Sequence, residues 1–563
     1  MVLKFKQQII EDIQKVLTKL NINEVALLET PKDRNMGDYA IPCFVYAKVL
    51  RKNPNEIAQL LSEHLESDII TKKEVIGGYL NLFLERKKII PLVINEIINK
   101  NEHYGDLVIG RNKTIVIDYS APNIAKPFGV GHLRSTVIGN AIRQILDKLG
   151  YQTIGINYLG DYGTQFGKLI YAYKTWGNEA KIKKDPISEL NKLYVRFHEE
   201  AKLDPSLEDK GREYFKRLED KDPEVLKLWQ WLRDESLKSF MKTYELLGIT
   251  NFDSFEGEAS VEDKIAPTIA ELEKRGLLEE DEGAKIVRLG DDIAPALIVR
   301  NDGASLYMTR ELASIFDRKA RYDFDKILYV VGNEQTLHFM QLKRLIKKMG
   351  YDWADNIHHI SFGLILQDGK KMSTRYGKIV ELNQLLEESI NLAESYIIEK
   401  NPNLANKDEI SRIVGVGAII FNDLKNYRTS DVEFNLKDIL KFEGETAPYI
   451  QYTYARINSM LDNLKDIDTN INHLNISEYI WNIIMKLLVF EEILINSHIH
   501  YDPSILAKYI IDLAQDYNKF YGNEKIISDN IEDTQFKLRI SKATSIVLKE
   551  GMRILGIAMP SKM

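Results

Sequence analysis

Residues that could hold a phosphate group lie close together between positions 120 and 142. The stretch SAPNIAKPFGVGHLRSTVIGNAI follows a β-branched run and contains Lys126, Gly129, Gly131 and His132 directly before a helical pattern. At a helix N-terminus, free backbone N–H groups and the positive end of the dipole attract anions. The glycines would let a nucleotide approach the backbone, and His132 and Lys126 could then stabilise charge during phosphate chemistry.

The same residues also fit an ordinary turn between a strand and a helix. The glycines could form a tight turn with His132 as a simple helix cap, and the spacing is not that of a Walker A loop. The spacing alone leaves both interpretations open.

A second group of basic residues follows a later β-like run. In LILQDGKKMSTRYGKI, Lys370, Lys371 and Ser373 lie between Gly369 and Gly377. A loop of this type can swing and bring positive charge onto a triphosphate, although the same composition suits a solvated basic surface. Two phosphate-type loops in one domain favour nucleotide binding.

Short β-branched runs alternate with helical patterns from Thr114 onwards. The runs TIVIDYS, QTIGINYLG and KILYVVG predict strands, and apolar spacing predicts helices over about 132–149 and 336–349. This alternation predicts an α/β domain with a doubly wound parallel sheet. Because the loop before His132 follows one of these strands, we expect it to lie at the carboxyl edge of that sheet.

The two ends of the chain have different patterns. The first hundred residues combine helical periodicity with β-like runs such as EVIGGYLNLFL, which predicts a small α+β domain. After about Asn435, apolar residues recur at helical spacing to the end, which predicts a helix bundle. Residues 170–290 are mostly charged and helical in pattern, and we interpret them as an insertion in the α/β domain.

Composition excludes several classes of protein. Of 563 residues, 44% are hydrophobic and 28% are charged, and no apolar run approaches the roughly 20 residues that cross a bilayer. The N-terminus lacks the cleavage site of a signal peptide, and the single cysteine, Cys43, excludes an intrachain disulfide. We expect a cytoplasmic protein without a membrane segment. His498 and His500 form the closest approach to a metal pair, and we expect them to be packed or solvated.

The two basic loops resemble the signature motifs of a known enzyme class. KPFGVGHLRST and KKMSTR resemble the HIGH and KMSKS motifs of class I aminoacyl-tRNA synthetases. The segments NYLGDYGTQFGKL, SLYMTRELA, YDFDKILYVVGNEQTLHF and ETAPYIQYTYARI resemble the arginyl-tRNA synthetase family and occur in its order. The resemblance covers nearly the full chain and ends with LGIAMPSKM.

This resemblance implies a reaction and a domain order. The expected reaction is ATP-dependent activation of L-arginine to arginyl-adenylate and transfer to the 3′-terminal adenosine of arginine tRNA, with Mg²⁺ on the ATP phosphates. Members of the family characteristically need bound tRNA even for activation, and the family suggests a monomer. The expected domains are a tRNA-elbow-binding domain at 1–110, a Rossmann-type catalytic domain at 111–435 with a helical insertion at about 170–290, and a helical anticodon-binding domain at 436–563.

The resemblance also implies which residues form the site. A guanidinium is best met by carboxylates and fixed acceptors, and the arginine pocket is expected to contain Asp118, Ser120, Asn123, Tyr307, Glu311 and Gln335. The expected ATP-binding residues are Gly129, Gly131, His132, His338, Lys371 and Met372, and the expected catalytic residues are Lys126, His132, Lys371 and Ser373. On the residues alone, Glu311 could instead pair with Arg310 or Arg318, and Asp118 could cap the end of a strand.

Two positions depart from the class motifs. Gly129 replaces the first histidine of HIGH, and Thr374 replaces the second lysine of KMSKS. Lys126, just ahead of the histidine motif, is expected to supply the missing positive charge. The departures give limited support to a catalytically silent relative that binds tRNA or arginine, and a nucleotidyltransferase with a related loop is a further alternative.

The helical domain contains residues that suit unstacked anticodon bases. Aromatic rings can stack on bases and polar side chains can reach their edges. Some members of the following set are expected to contact the anticodon, although most could equally pack inside the domain: Tyr452, Tyr454, Arg456, Tyr509, Tyr517 and Asn518.

Overall fold

A computed structural model describes residues 2–301, 306–372, 374–375, 378–462 and 475–563. Within these ranges, every helix falls short of the length and apolarity that a bilayer-crossing segment requires. The predicted class is confirmed: a small α+β unit, a parallel-sheet domain and an all-helical unit follow one another.

The N-terminal unit packs helices against a three-stranded antiparallel sheet of order β1-β3-β2. Gly77 and Gly78 both have positive φ and form the two-residue turn between β2 and β3. The elements are α1 (Val2–Lys19), β1 (Tyr39–Pro42), α2 (Ala47–Leu50), α3 (Pro54–His64), β2 (Ile70–Ile76), β3 (Tyr79–Leu84) and α4 (Arg86–Lys100).

The central domain is built on a five-stranded sheet of order β11-β10-β4-β5-β6, in which every pairing is parallel. The order runs outwards from β4 in both directions, so the crevice between the carboxyl ends of β4 and β10 is a topological switch point, where such sheets bind ligands. The strands are β4 (Thr114–Asp118), β5 (Gln152–Leu159), β6 (Ser254–Gly257), β10 (Lys326–Tyr329) and β11 (Ile357–His359), and a small antiparallel sheet contains β7 (Glu279–Asp281), β8 (Ala284–Val287) and β9 (Ala296–Val299).

Helices cover the sheet and extend from it. They are α5 (Gly131–Lys148), α6 (Thr164–Trp176), α7 (Glu179–Lys184), α8 (Pro186–Leu203), α9 (Ser206–Glu219), α10 (Pro223–Leu247), α11 (Glu262–Lys274), α12 (Tyr307–Tyr322) and α13 (Thr336–Lys348). Helix α5 begins at the second glycine of the first motif, one residue earlier than predicted. It lies close to the strand that precedes it, because a side chain at Gly139 would clash with Tyr119.

The segment predicted as one helical insertion, residues 170–290, has a mixed structure. Helices α6 to α10 occupy 164–247, but β6 is the edge strand of the central sheet and pairs with β5. The four residues of β6, SFEG, are too few to show a periodicity of two, so this strand could not be predicted from its pattern.

After about Asn435 the described residues are helical, as predicted. Between the central sheet and this helical unit lie small strands: β12 (Ile365–Gln367), β13 (Lys370–Lys371), β14 (Thr374–Arg375), β15 (Lys378–Ile379) and, between two helices, β16 (Val432–Glu433). The helices are α14 (Leu382–Lys400), α15 (Lys407–Leu424), α16 (Leu436–Ile439), α17 (Ala447–Asp462), α18 (Glu478–Leu488), α19 (Phe490–His500), α20 (Ser504–Asn523) and α21 (Ile531–Ile554). Buried Lys148 at the end of α5 lies 2.9 Å from Glu550 of α21 and joins this unit to the central domain.

Candidate active site

The loops after β4 and β10 meet at the switch point and border a cavity of about 200 Å³. Val130 and Gly131 line it from the first motif, Gly332 from the end of β10, and Lys371 from the second motif. The structure therefore brings the two basic loops to one cavity, as expected of parts of a single nucleotide site.

The backbone also joins the two motif regions. The N–H of Val130 donates to the carbonyl of Val380 at 3.1 Å, and the N–H of Leu382 donates to the carbonyl of Phe128 at 2.9 Å. Gly129 sits between these bonds and pairs with Glu381. Residues 128–130 and 380–382 therefore form a short antiparallel ladder, so displacement of one segment acts on the other.

His132 lies in the first turn of α5 with its ring against Phe128, 5.2 Å between centroids. Its Nδ1 is buried and has no hydrogen-bond partner among the described residues. Burial lowers the pKa of His132, a hydrogen bond with the backbone of Gly129 acts against this change, and the positive charge of Lys126 lowers the pKa further. The ring is therefore neutral near pH 7 and carries a single N–H that can donate to a phosphate oxygen.

The loop that carries Lys126 has unusual backbone geometry. Ser120 and Ala125 have φ angles of 66° and 61°, in the left-handed region that residues other than glycine seldom adopt. Strain of this kind is concentrated where a chain is held in a functional conformation. The two residues with positive φ lie on either side of Asn123 in the sequence, and half-buried Lys126 follows them at the start of the motif.

The second motif is described in part. Lys371 is exposed, with Nζ 3.6 Å from Glu334, and Met372 is buried beside it and donates its backbone N–H to Ile365 at 2.8 Å. Predicted catalytic Ser373 lies outside the described residues.

His338 and Tyr307 lie side by side, 4.6 Å between ring centroids. Tyr307 begins α12 and is 44% exposed, and His338 is in the first turn of α13. Burial lowers the pKa of His338 to about 4, so its ring is neutral at physiological pH. Gln335 is exposed on the short 3₁₀ turn Asn333–Gln335 ahead of α13.

Acidic side chains converge behind these rings. Asp118 ends β4, Glu256 lies on β6, Glu258 follows it, and Glu311 lies on the inner face of α12. Asp118 and Glu311 are 4% and 3% exposed, which is rare for carboxylates unless they are paired or functional. The two acids that were expected in the arginine pocket are thus neighbours in space.

The contacts of Arg310 and Arg318 on α12 decide between the alternatives for Glu311 and Asp118 that the sequence left open. Arg318 is ion-paired with Asp118 at 2.8 Å and with Glu256 at 3.1 Å, and Arg310 is 3.5 Å from Glu258. Neither contact involves Glu311. Asp118 is therefore an ion-pair partner and not a simple strand cap.

Glu311 is the carboxyl group in this cluster that has an open acceptor. Its Oε1 is buried and lacks a hydrogen-bond partner among the described residues, and so do Ser314 Oγ, Arg318 Nη2 and Tyr158 O–H nearby. Burial raises the pKa of Glu311 to about 7; Arg318 and a hydrogen bond with the hydroxyl of Tyr329 act against the rise, and Asp118 adds to it. Unsatisfied buried polar atoms are costly, so their concentration here indicates a site for a polar ligand.

Ser120 has its side chain in the interior. Its Oγ lies 2.5 Å from Thr136 Oγ1 and 2.8 Å from the hydroxyl of Tyr244, and its backbone N–H donates to Ser135. Ser120, which the family resemblance places in the arginine pocket, thus has its hydroxyl engaged by protein groups and holds the loop in position.

Asn123 rests against the loop after β5. It pairs in parallel with Gly160, and a methyl group on Gly160 would clash with Asn123 Oδ1. Gly160 is therefore required for the position of the Asn123 amide.

We expect Gly160→Ala to raise the KM for arginine by about tenfold, because a displaced contact group costs binding even at small displacements. The side chain of Asn123 must turn away from the new methyl group. Arginine-dependent kinetics check this, and Gly522→Ala is the control because a methyl group there meets open space. Equal KM values in the two variants would contradict the role of Asn123.

In the helical unit, some of the residues predicted to contact the anticodon are buried and others lie on the surface. Tyr509 and Tyr517 are core residues: their hydroxyls donate to the Lys486 carbonyl and to Ser541, each at 2.9 Å. The sequence alone does not distinguish aromatic residues that pack in a helical core from those that stack on bases. Tyr454 is also buried, at 8% exposure.

An exposed stack remains on the surface of α17 and α20. The guanidinium of Arg456 lies between the rings of Tyr452 and Tyr521, 4.7 and 4.8 Å from their centroids, and donates to Asn518 at 3.2 Å. Both tyrosines are 40% exposed. Tyr521 was not predicted, because only the fold places it beside Arg456.

The sequence did not predict a role for Glu258 or Gly160, and it did not predict that Arg318 pairs with Asp118. Glu258 follows the unpredicted strand β6, and Gly160 and Arg318 matter through contacts that are remote in sequence. His498, half of the weak metal candidate, contacts the hydroxyl of Tyr151 at 3.1 Å, and the described residues contain no group of three metal-ligating side chains.

Comparison with known proteins gives matches along the whole chain. Family models match residues 4–84 (Arginyl tRNA synthetase N terminal domain), 93–436 (tRNA synthetases class I (R), catalytic domain) and 450–563 (DALR anticodon binding domain). Arginine–tRNA ligase of Lactobacillus johnsonii is 49% identical, and arginine–tRNA ligase 1 of Bacillus cereus 48%, each over 99% of this chain and 100% of the relative. The Thermus thermophilus arginyl-tRNA synthetase structure has a TM-score of 0.82 at 24% identity and covers 99% of this chain and 100% of its own.

Proposed function

Because this chain belongs to the arginyl-tRNA synthetase family, and is thus a class I arginine–tRNA ligase, we propose which of its residues carry the reaction. The enzyme activates arginine with ATP and esterifies arginine tRNA. The observation that supports our assignment best is the buried carboxyl group of Glu311, which has an open acceptor and lies in the acid cluster beside Tyr307 and Asp118.

The arginine side chain is proposed to enter between the Tyr307 ring and Asn123 and to place its guanidinium against Glu311. The acid cluster around Glu311 gives this end of the pocket a negative field, and a buried carboxylate binds a guanidinium strongly because two parallel hydrogen bonds form. Lysine or a neutral side chain would leave buried acceptors unpaired, which is the strong form of selectivity. Exposed Gln335 is proposed to contact the α-amino or carboxyl group of arginine.

The ATP phosphates are proposed to lie over Gly129 and Gly131 at the start of α5. The arginine carboxylate attacks the α-phosphate and pyrophosphate leaves, so negative charge grows on the leaving group. His132, through its N–H, with Lys126 and Lys371 would stabilise that charge. Mg²⁺ is proposed to arrive bound to the phosphates, its usual mode in nucleotide sites, and would supply further charge neutralisation.

In the second step, a ribose hydroxyl of the terminal tRNA adenosine attacks the carbonyl of the mixed anhydride and AMP leaves. No covalent enzyme intermediate is needed. The protein contributes orientation, because the adenylate and the tRNA end must be held in line. The ladder between residues 128–130 and 380–382 would keep the two motif loops together during this exchange.

Arginine use is expected to increase with pH across neutrality. Glu311 must be ionised to receive a guanidinium, and its pKa in the free enzyme is about 7. The value of kcat/KM for arginine, at saturating ATP and tRNA, should therefore rise between about pH 6 and pH 8 and then level off. A profile that is already level from pH 5.5 upwards would contradict this role.

The stack of Tyr452, Arg456 and Tyr521 is proposed to receive an anticodon base. Base stacking on such groups contributes about 1–3 kcal/mol per base, so Arg456→Ala should raise the KM for arginine tRNA by about tenfold. Aminoacylation kinetics at varied tRNA concentration measure this. The control is Lys508→Ala, an exposed charge removal on α20; equal KM values for the two variants would contradict the proposal.

The remaining assignments concern the whole molecule. Residues 1–110 are proposed to contact the tRNA elbow, 111–435 to perform the chemistry and 436–563 to bind the anticodon arm. The enzyme is proposed to act as a cytoplasmic monomer. Light scattering of the purified protein at working concentration tests the monomer, which should give the chain mass of 64.9 kDa.

A further inference from the structure

Arg318 occupies the centre of the acid cluster. It lies seven residues after Glu311, two turns along the same face of α12, and its side chain is completely buried. The guanidinium is 4.9 Å from the ring centroid of Tyr158, and its Nη1 donates to the hydroxyl of Tyr329 at 3.4 Å. Contacts on the ring face and at the edge hold its plane in one orientation.

The fixed guanidinium has two acidic partners. Nη1 of Arg318 lies 2.8 Å from Asp118, and Nε lies 3.1 Å from Glu256. The one guanidinium therefore links the end of β4 to the edge strand β6. Glu256 has a second partner in Arg321, at 2.6 Å. Asp118 has no other ionic partner among the described residues, and its charge is balanced by Arg318.

We propose that Arg318 is a positioning residue that neutralises Asp118 and leaves Glu311 as the carboxylate that receives the substrate guanidinium. The inference rests on the proposed role of Glu311. It adds the reason why Glu311, and not Asp118, is free to bind the substrate guanidinium. Without Arg318, two buried carboxylates would share the pocket, and repulsion would drive one of them to take up a proton.

The electrostatic consequence can be measured at Glu311. The positive charge of Arg318 favours the ionised form of Glu311, whereas Asp118 and Glu258 disfavour it. The titratable or charged groups that surround the pocket are Asp118 on β4, Tyr158 on β5, Glu256 on β6, Glu258 after β6, Tyr307, Arg310 and Arg318 on α12, Tyr329 on β10 and His338 on α13. Of these, Arg318 is the buried cation paired with Asp118.

The test uses the full chain with arginine tRNA and measures ATP–pyrophosphate exchange against pH. Arg318→Met should raise the KM for arginine by about 30-fold or more, because a buried acid loses its partner, and change the KM for ATP less than threefold. The inflection of kcat/KM for arginine should move up by about one pH unit or more. Arg318→Lys, which keeps the charge, should restore the inflection to within half a unit.

Arg321→Met is the matched control. It removes the other guanidinium from Glu256 but is not in contact with Asp118, so neither the KM for arginine nor the inflection should move appreciably. A lower melting temperature in Arg318→Met with an unchanged inflection and KM would overturn the inference, because Arg318 would then act on stability alone.

If Arg318→Met does not fold, the double variant Asp118→Asn with Arg318→Met provides the measurement. It removes one influence that raises the pKa of Glu311 and one that lowers it, so the inflection should stay near the wild-type position; a shift above one unit would overturn the inference. A wild-type enzyme that uses arginine but shows no inflection near neutral pH would instead contradict the proposed role of Glu311.

Discussion

Glu311→Gln is expected to reduce kcat/KM for arginine by about 10³-fold, because the substrate guanidinium would be buried without its counter-charge. Glutamine has the shape of glutamate, so the loss reports charge and not volume. The residual activity should no longer depend on pH around neutrality. Steady-state exchange kinetics over a range of arginine concentrations and pH values measure both effects.

The stability of the same variant separates function from folding. The pKa of Glu311 is raised in the folded protein, to about 7, so its ionised form opposes folding at higher pH. Glu311→Gln removes that charge and should melt no earlier than the wild type at pH 8. Exposed Glu387→Gln on α14 is the control and should leave kinetics unchanged. Retention of more than a tenth of the wild-type kcat/KM in Glu311→Gln would contradict the arginine pocket.

Lys126→Ala is expected to reduce the rate of arginine activation by about 10²-fold or more, a typical loss for an electrostatic contact to the transition state. The charge of Lys126 acts on His132, and we propose that it compensates for the charge that Thr374 does not provide. The KM for arginine should change little, since Lys126 is assigned to the phosphates and not to the guanidinium.

Single-turnover formation of arginyl-adenylate with bound tRNA measures the effect of Lys126 directly. Lys202→Ala, an exposed lysine at the end of α8, is the matched control for loss of one positive charge. A rate in Lys126→Ala within a few-fold of that control would remove Lys126 from the mechanism.

The elements that position the site were readable from the sequence because their patterns are long or regular. The strand before Tyr119, helix α5 and the glycines of the first motif lie where the spacing predicted them, within one residue. The resemblance of two motifs and several ordered segments then identified the family. Strand β6 was missed because four residues in a charged context have no distinguishable period.

Partners within the site could not be predicted, because they depend on contacts between remote segments. Arg318 was one of two alternatives for Glu311, yet its ion pairs are with Asp118 at the end of β4 and with Glu256 on β6, both remote from it in sequence. The hydroxyl of Ser120 is engaged by Tyr244, a contact 124 positions away in the chain. Tyr509 and Tyr517 were predicted to contact anticodon bases, but the fold buries both rings in the core of the helical unit.

Whether Glu311 binds the substrate guanidinium is tested by ATP–pyrophosphate exchange with the wild-type enzyme and with Glu311→Gln, using each amino acid in turn, with and without arginine tRNA. The proposed site predicts that the wild type exchanges only with arginine and tRNA together, and that Glu311→Gln loses exchange with arginine by about three orders of magnitude. Exchange by Glu311→Gln at close to the wild-type efficiency would show that another group binds the guanidinium and would contradict the account.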